Sequence, residues 1–240
     1  MDFIVDLYWS FRSPYSYIVL PRIIELRDKF CVSIDLRIVH PAAIRNPSYF
    51  ERMDPLARPY FMKDSARAAA FHGLTFRRPV PDPIEQDPKT LAIAKEQPHA
   101  RRLGRLGIAA NERGRGLEFS REVSSLLWDG SVAGWDQDTH LAEATARAGL
   151  DLFELESAIV ADPERYEARL TENDRALRAA GHWGVPTMVY EGEPFFGQDR
   201  FDMLVWRMKQ RGLEQRRDSG CIDPLARGPP LGVAKLDALA

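Results

Sequence analysis

Ser13-Pro14-Tyr15-Ser16, within "SFRSPYSY" at residues 10–17, has the spacing of a Cys-x-x-Cys redox motif with both sulfurs replaced by oxygen. Without those sulfurs the chain cannot run dithiol–disulfide exchange in the usual way. Ser13 reads instead as a helix N-cap, with Pro14 at the first helical position, where its missing N–H costs nothing. Two more segments carry residues suited to chemistry: "WGVPT" at 183–187 and "FFGQDR" at 195–200. The five histidines (40, 72, 99, 140 and 182) show no HExxH or paired spacing, which argues against a metal site. There is no G-x-S-x-G elbow. "GRLGIAANERGRG" has neither Walker nor dinucleotide spacing, and its arginines read as a solvated helix face.

Elements must bring these segments together. "DFIVDLYW" is rich in β formers and reads as a first strand buried on both faces. Tyr15, Ile18, Val19, Ile23, Leu26 and Phe30 follow at helical spacing, with Pro21 expected to kink that helix. "CVSIDLRIVH" alternates as a second strand, so the first 40 residues form a βαβ unit. Near the other end, "VPTMVYEGEPFFG" holds two strands around a Glu191-Gly192 turn. "DRFDMLVWRMKQRG" then places Phe201, Leu204, Val205 and Met208 on one helical face. This order, βαβ, a long middle, then ββα, is that of an α/β thioredoxin fold interrupted after its second strand.

The expected boundaries are residues 1–40 and 181–211 for the thioredoxin-like domain, 41–180 for an inserted helical domain and 212–240 for a C-terminal tail. Helical runs in the insertion are "SREVSSLLWDG", "HLAEATARAG" and "LFELESAIV". Asp151 with Glu154 is a capping box, and Asp162-Pro163 starts another helix. "RRPVPDPIEQDPKT", with four prolines, must be an irregular connection.

Composition bounds the function class. The 240 residues are 45% hydrophobic and 28% charged, enough for a sizeable core. A net charge of −2 gives no bulk attraction to nucleic acid or an anionic membrane. No apolar run approaches the roughly 18–20 residues that span a bilayer, and "MDFIVDLYW" does not read as a signal peptide. Cys31 and Cys221 lie far apart outside any motif, which argues against a disulfide scaffold and suits a reducing cytoplasm.

In the fold inferred above, the start of the first helix faces the loop before the third strand. That loop ordinarily holds a cis proline, here Pro186, so that the backbone of Val185 is open to a peptide ligand. "SFRSPYSYIVLPRIIEL" and "GVPTMVYEGEPFFGQDR", with "FSREVSSLLWDGSVAGWDQDTHLAEATARAGLD" between them, resemble 2-hydroxychromene-2-carboxylate isomerase and the kappa-class glutathione transferases. These belong to the DsbA-like branch of the thioredoxin superfamily, and the resemblance runs from residue 3 to about residue 210.

The resemblance implies a cytoplasmic, glutathione-dependent enzyme, expected to be a homodimer because relatives commonly are. It makes Ser13 the catalytic residue, its hydroxyl near the glutathione sulfur. Val185 is then expected to hold the cysteinyl backbone, with Phe196 and Gly197 in the same turn and Gln198 and Asp199 gripping the γ-glutamyl end. Asn46 and Arg52 are expected to face a small-molecule substrate. A helix N-terminus supports this chemistry independently, because its partial positive charge and unpaired N–H groups favour a thiolate. A free thiol has a pKa of about 8.5, so even about 1.4 kcal/mol of preferential stabilisation raises the thiolate fraction several-fold near neutrality. Three functions stay open: isomerisation, glutathione conjugation or peroxide reduction, and non-catalytic binding by a thioredoxin-like module.

Overall fold

The computed structural model describes residues 3–46, 48, 52–87, 90 and 92–215. Strand β1 (Phe3–Trp9) leads through a tight turn into α1 (Pro14–Lys29), and β2 (Val32–Ile38) follows. Between β2 and the third strand lie α2 (Ala42–Arg45), α3 (Ala57–Phe71), α4 (Pro98–Glu112), α5 (Gly116–Trp128), α6 (His140–Arg147), α7 (Leu152–Ala161) and α8 (Pro163–Ala179). The chain then returns as β3 (Thr187–Tyr190), β4 (Glu193–Phe196), a single 3-10 turn at Gln198–Arg200 and α9 (Phe201–Gln210). The sheet order is β2-β1-β3-β4, with β1 and β2 parallel and the other neighbours antiparallel. This is the expected βαβ…ββα order, with helices inserted after β2.

Local sequence explains most of these boundaries. Ser13 adopts extended backbone (φ −92°, ψ 116°), and its Oγ accepts the Ser16 N–H, capping α1 with Pro14 at the first helical position. Pro21 does not interrupt α1, which runs unbroken to Lys29. Asp151 and Asp162 cap α7 and α8 by accepting the N–H groups of Glu154 and Arg165. Glu191 and Gly192 both have positive φ (48° and 79°), the backbone that a two-residue hairpin turn requires.

Period-two alternation in β1 divides the apolar core. Val5, Leu7 and Trp9 join a large cluster with α1, α4 and α5, whereas Tyr8 faces a smaller one with Val39, Leu177 and Val189. The strand is buried on both faces only in its second half, since Ile4 is exposed near its start. Cys31 is disulfide-bonded, which corrects the expectation drawn from the spacing of the two cysteines; Cys221 lies outside the described residues. Most of the expected tail, from residue 216 onward, also lies outside them.

Of the three arginines in "GRLGIAANERGRG", Arg113 and Arg115 are exposed as expected, whereas Arg105 is seated against a carboxylate together with Arg101. Arg101 Nη1 and Arg105 Nε donate to Glu167 of α8 at 2.9 and 2.6 Å, and buried His40 meets the same carboxylate at 2.8 Å. Burial works against ionisation of Glu167, but the His40 and Arg105 contacts outweigh it and bring its pKa from 4.5 down to about 2. A depressed carboxylate contributes stability above its unfolded pKa and loses it as pH falls through the folded value. Wild type should therefore lose thermal stability between pH 4.5 and about 2 more steeply than Glu167→Gln. Parallel profiles in thermal melts across that range would show that Glu167 contributes none of the acid sensitivity.

Candidate functional site

A cavity of about 660 Å³ opens where the C-terminal end of β1, the start of α1, the segment 183–185 and helix α3 meet. Ser13, Val185 and Phe196 all line it. The Val185–Pro186 peptide is cis, as the sequence led us to expect. Ser13 Oγ donates to the Val185 carbonyl at 3.3 Å while accepting the Ser16 N–H at 3.2 Å. The helix cap and the proline loop therefore meet at one hydroxyl.

Every carbonyl from Trp183 to Pro186 has a donor. Trp183 O accepts from Arg45 (2.9 Å), Gly184 O from Thr187 Oγ1 (2.8 Å), Val185 O from Ser13 Oγ (3.3 Å) and Pro186 O from the Gly197 N–H (2.9 Å). The Gly184 N–H donates to His182 Nδ1 at 2.9 Å. Among the described residues the Val185 N–H has no partner. A backbone donor left over in an otherwise saturated loop is suited to a carbonyl supplied by a ligand.

The remaining expected site residues are placed as follows. Gly197, at φ 98°, joins β4 to the 3-10 turn, and its N–H closes the loop onto Pro186. Gln198 is half-buried; its Oε1 accepts from His72 Nε2 at 3.0 Å, and its backbone carbonyl accepts from Arg22 at 3.4 Å. Asp199 is exposed and pairs with Arg200 at 2.6 Å. It lies in the turn beside the cavity wall formed by Phe196, not in the wall itself. Asn46 ends α2 with Oδ1 accepting from Ser48, and Arg52 is exposed; neither lines the cavity.

Other arginines occupy the place expected for Arg52. Arg12, Arg45, Arg58 and Arg78 line the cavity. Arg12 holds Asp82 through two bonds of 3.1 and 3.0 Å, and Arg78 reaches the same carboxylate at 3.0 Å. Burial opposes ionisation of Asp82, but the Arg12 guanidinium wins and holds its carboxyl below the ordinary 3.8. Arg45, its side chain only 6% exposed, pairs with Asp174. Arg58 has no hydrogen-bond or ion-pair partner among the described residues.

Apolar groups complete the wall: Phe61 and Met62 from α3, Phe76, Trp128 and Trp183. Tyr15 also faces the cavity, its hydroxyl donating to Asp64 of α3 at 2.6 Å, whereas Tyr17 is buried with its hydroxyl on the Thr75 carbonyl. Burial and the Asp64 carboxylate both raise the Tyr15 pKa, which keeps this phenol protonated. One tyrosine thus lines the pocket and the other joins the core, as helical spacing requires. The site combines a helix N-terminus and a wide apolar wall with a backbone donor and a cation that are unpaired among the described residues. It presents no protein thiol at either end of Ser13–Ser16.

Comparison with known proteins agrees with this architecture. A solved 2-hydroxychromene-2-carboxylate isomerase superposes with a TM-score of 0.66 at 21% identity, covering 87% of this chain and 95% of that one. A "probable DsbA oxidoreductase" from Streptomyces coelicolor gives 0.61 at 18%, over 92% and 99% of the two chains. The cytosolic disulfide reductase DsbM from Pseudomonas aeruginosa, solved with GSH, gives 0.55 at 15%, over 87% and 99%. Among curated protein sequences none matches significantly. The family model for the DSBA-like thioredoxin domain matches residues 4–209. The chain therefore belongs to the DSBA-like thioredoxin domain family.

Proposed function

We propose that this protein is a glutathione-dependent isomerase of the 2-hydroxychromene-2-carboxylate isomerase type, acting on an unsaturated aromatic small molecule. The observation that carries this reading is the pairing of Ser13 Oγ with the Val185 carbonyl beside an unpartnered Val185 N–H, at the mouth of a 660 Å³ cavity. The Val185 N–H suits the cysteinyl carbonyl of the tripeptide. Ser13 and the N-terminus of α1 then supply hydrogen-bond donors and positive potential where the sulfur would lie. Glutathione, when bound, supplies a thiolate that adds reversibly to an unsaturated carbon, so that a double bond rotates as a single bond before the thiolate leaves.

The chain's own residues do the rest. Ser13 favours the ionised thiol, and the aromatic wall excludes water from the substrate. Gln198 and Asp199, in the turn after Phe196, are proposed to meet the γ-glutamyl end; Asn46 and Arg52 remain proposed contacts for the outer part of a substrate. The isomerase and the GSH-containing DsbM structures support the reading through the fold they share with this chain.

Arg58 is well placed to receive a substrate carboxylate, since its charge is otherwise unanswered in the cavity wall. Arg58→Ala should raise KM for a carboxylate substrate about ten- to hundredfold, corresponding to about 1.5–3 kcal/mol for a charge-assisted bond. A neutral analogue should be unaffected. Equal losses for both substrates would remove Arg58 from substrate recognition.

The test of the function itself is glutathione titration by calorimetry followed by product analysis with unsaturated aromatic acids. Saturable binding and an isomer of unchanged mass are expected. A glutathione adduct or reduced peroxide would replace isomerisation by transfer or reduction. No binding would leave a thioredoxin-like module without this chemistry.

A further inference from the structure

We infer that His182 is a positioning residue that holds the Val185 loop in its ligand-presenting form only while its imidazole is neutral. The inference rests on the proposed glutathione site and adds to it a control that the site residues do not contain. A backbone N–H can only donate, so the 2.9 Å bond from Gly184 N to His182 Nδ1 fixes Nδ1 as an unprotonated acceptor. The neutral ring must carry its proton on Nε2.

The ring is also clamped. It stacks on Phe196 of β4 with centroids 4.0 Å apart and planes 24° from parallel, and on Trp183 at 6.0 Å and 10°. Gly184 fits beneath this stack because it has no side chain: a Cβ there would lie 2.5 Å from the Phe196 ring and 3.0 Å from His182. His182 anchors its own backbone by donating to the Leu177 carbonyl at the end of α8. The imidazole therefore sits on a fixed base and grips the peptide immediately before Val185.

Of the side chains bonded to the 183–186 backbone, His182 changes charge near neutrality. Ser13, Thr187 and Arg45 also bond that backbone among the described residues, and none of these changes charge there. Among the described residues no ionised group is set against the ring: β4 packs Phe196 on it, while α8 holds only the His182 backbone through the Leu177 carbonyl. The nearby charges, Arg45 with Asp174 and Arg178, satisfy one another. Burial lowers the His182 pKa below the ordinary 6.5, the direction that a neutral acceptor needs. Protonation of Nδ1 places two N–H donors head to head, breaks the Gly184 bond and frees the loop that offers the Val185 N–H. Ligand affinity is therefore complete above pH 6.5 and is lost as pH falls through the lowered value.

The experiment measures S-methyl glutathione affinity from pH 5 to 8, since that analogue has no thiol to titrate. Wild type should weaken roughly three- to tenfold toward acid, the size of one neutral hydrogen bond. His182→Asn, whose amide oxygen replaces Nδ1 as acceptor, should bind with a flat profile. His182→Phe, which keeps the stack and loses the acceptor, should bind weakly at every pH. A wild-type profile that persists in His182→Asn would overturn the inference. The Gly184 amide is followed in parallel by NMR without ligand. Its hydrogen-bonded shift should titrate with the His182 ring in wild type and be absent in His182→Phe. If wild type binds no glutathione analogue, the functional proposal fails, while the Gly184 titration still decides the His182 bond on its own.

Discussion

Replacing Ser13 with alanine is expected to lower turnover roughly ten- to hundredfold, the cost of losing about 1.5–3 kcal/mol from a hydrogen bond to a charged group. In the structure the Ser13 hydroxyl accepts from the Ser16 N–H and spends its proton on the Val185 carbonyl at 3.3 Å, the long end for an O–H donor. That weak bond is readily exchanged for a stronger one to a thiolate. Loss of the cap alone should cost about 1 kcal/mol of stability, which denaturant unfolding measures separately. Affinity for S-methyl glutathione should barely change, because no thiolate is present. The ultraviolet absorbance of bound thiolate against pH should shift upward in Ser13→Ala. Superimposable titrations would leave Ser13 as a helix cap and nothing more.

The largest effect on stability is expected from Asp82→Ala. Asp82 accepts from Arg12 through two nitrogens, from Arg78 and from the Ile84 N–H. Its side chain and that of Arg12 are 22% and 17% exposed, so removing the carboxylate leaves two cations poorly compensated at the cavity edge. Breaking a buried pair from one side typically costs about 3 kcal/mol or more. The pKa of Asp82 is lowered from 3.8, so its contribution is complete above that pH and disappears as pH falls further. Denaturant midpoints at pH 7 should show the loss in Asp82→Ala, and a double variant with Arg12→Met should recover part of it. Because Arg12 adjoins Ser13, turnover should fall as well. An unchanged midpoint would mean that the network is solvated in solution.

What could be read from the sequence was local. The cap at Ser13-Pro14, the β-former run of β1, the alternation of β2 and the Glu191-Gly192 turn each place their signal within a few residues of the structure they determine. Helix α3 shows no such signal, because only Ser65 and Ala69 of its fifteen residues are fully buried and no apolar stripe results. Yet α3 supplies Arg58, Phe61 and Met62 to the cavity, so these lining residues were not legible in the sequence. Partnerships across the chain were equally hidden. Arg12 meets Asp82 over 70 positions, and Arg105 meets Glu167 over 62. Nothing in the composition of "GRLGIAANERGRG" distinguishes a solvated arginine from one seated against a carboxylate on another helix. The role of His182 was hidden for a different reason: its bond to Gly184 depends on a loop geometry that the bare sequence "GHWGVP" does not specify.

Ser13 and Val185 are together proposed to receive glutathione. A crystal structure of the glutathione complex tests this most directly. The sulfur is expected within hydrogen-bond reach of Ser13 Oγ at the start of α1, and the cysteinyl carbonyl on the Val185 N–H. Glutathione bound with its sulfur away from Ser13, or with the Val185 N–H still unpaired, would contradict it.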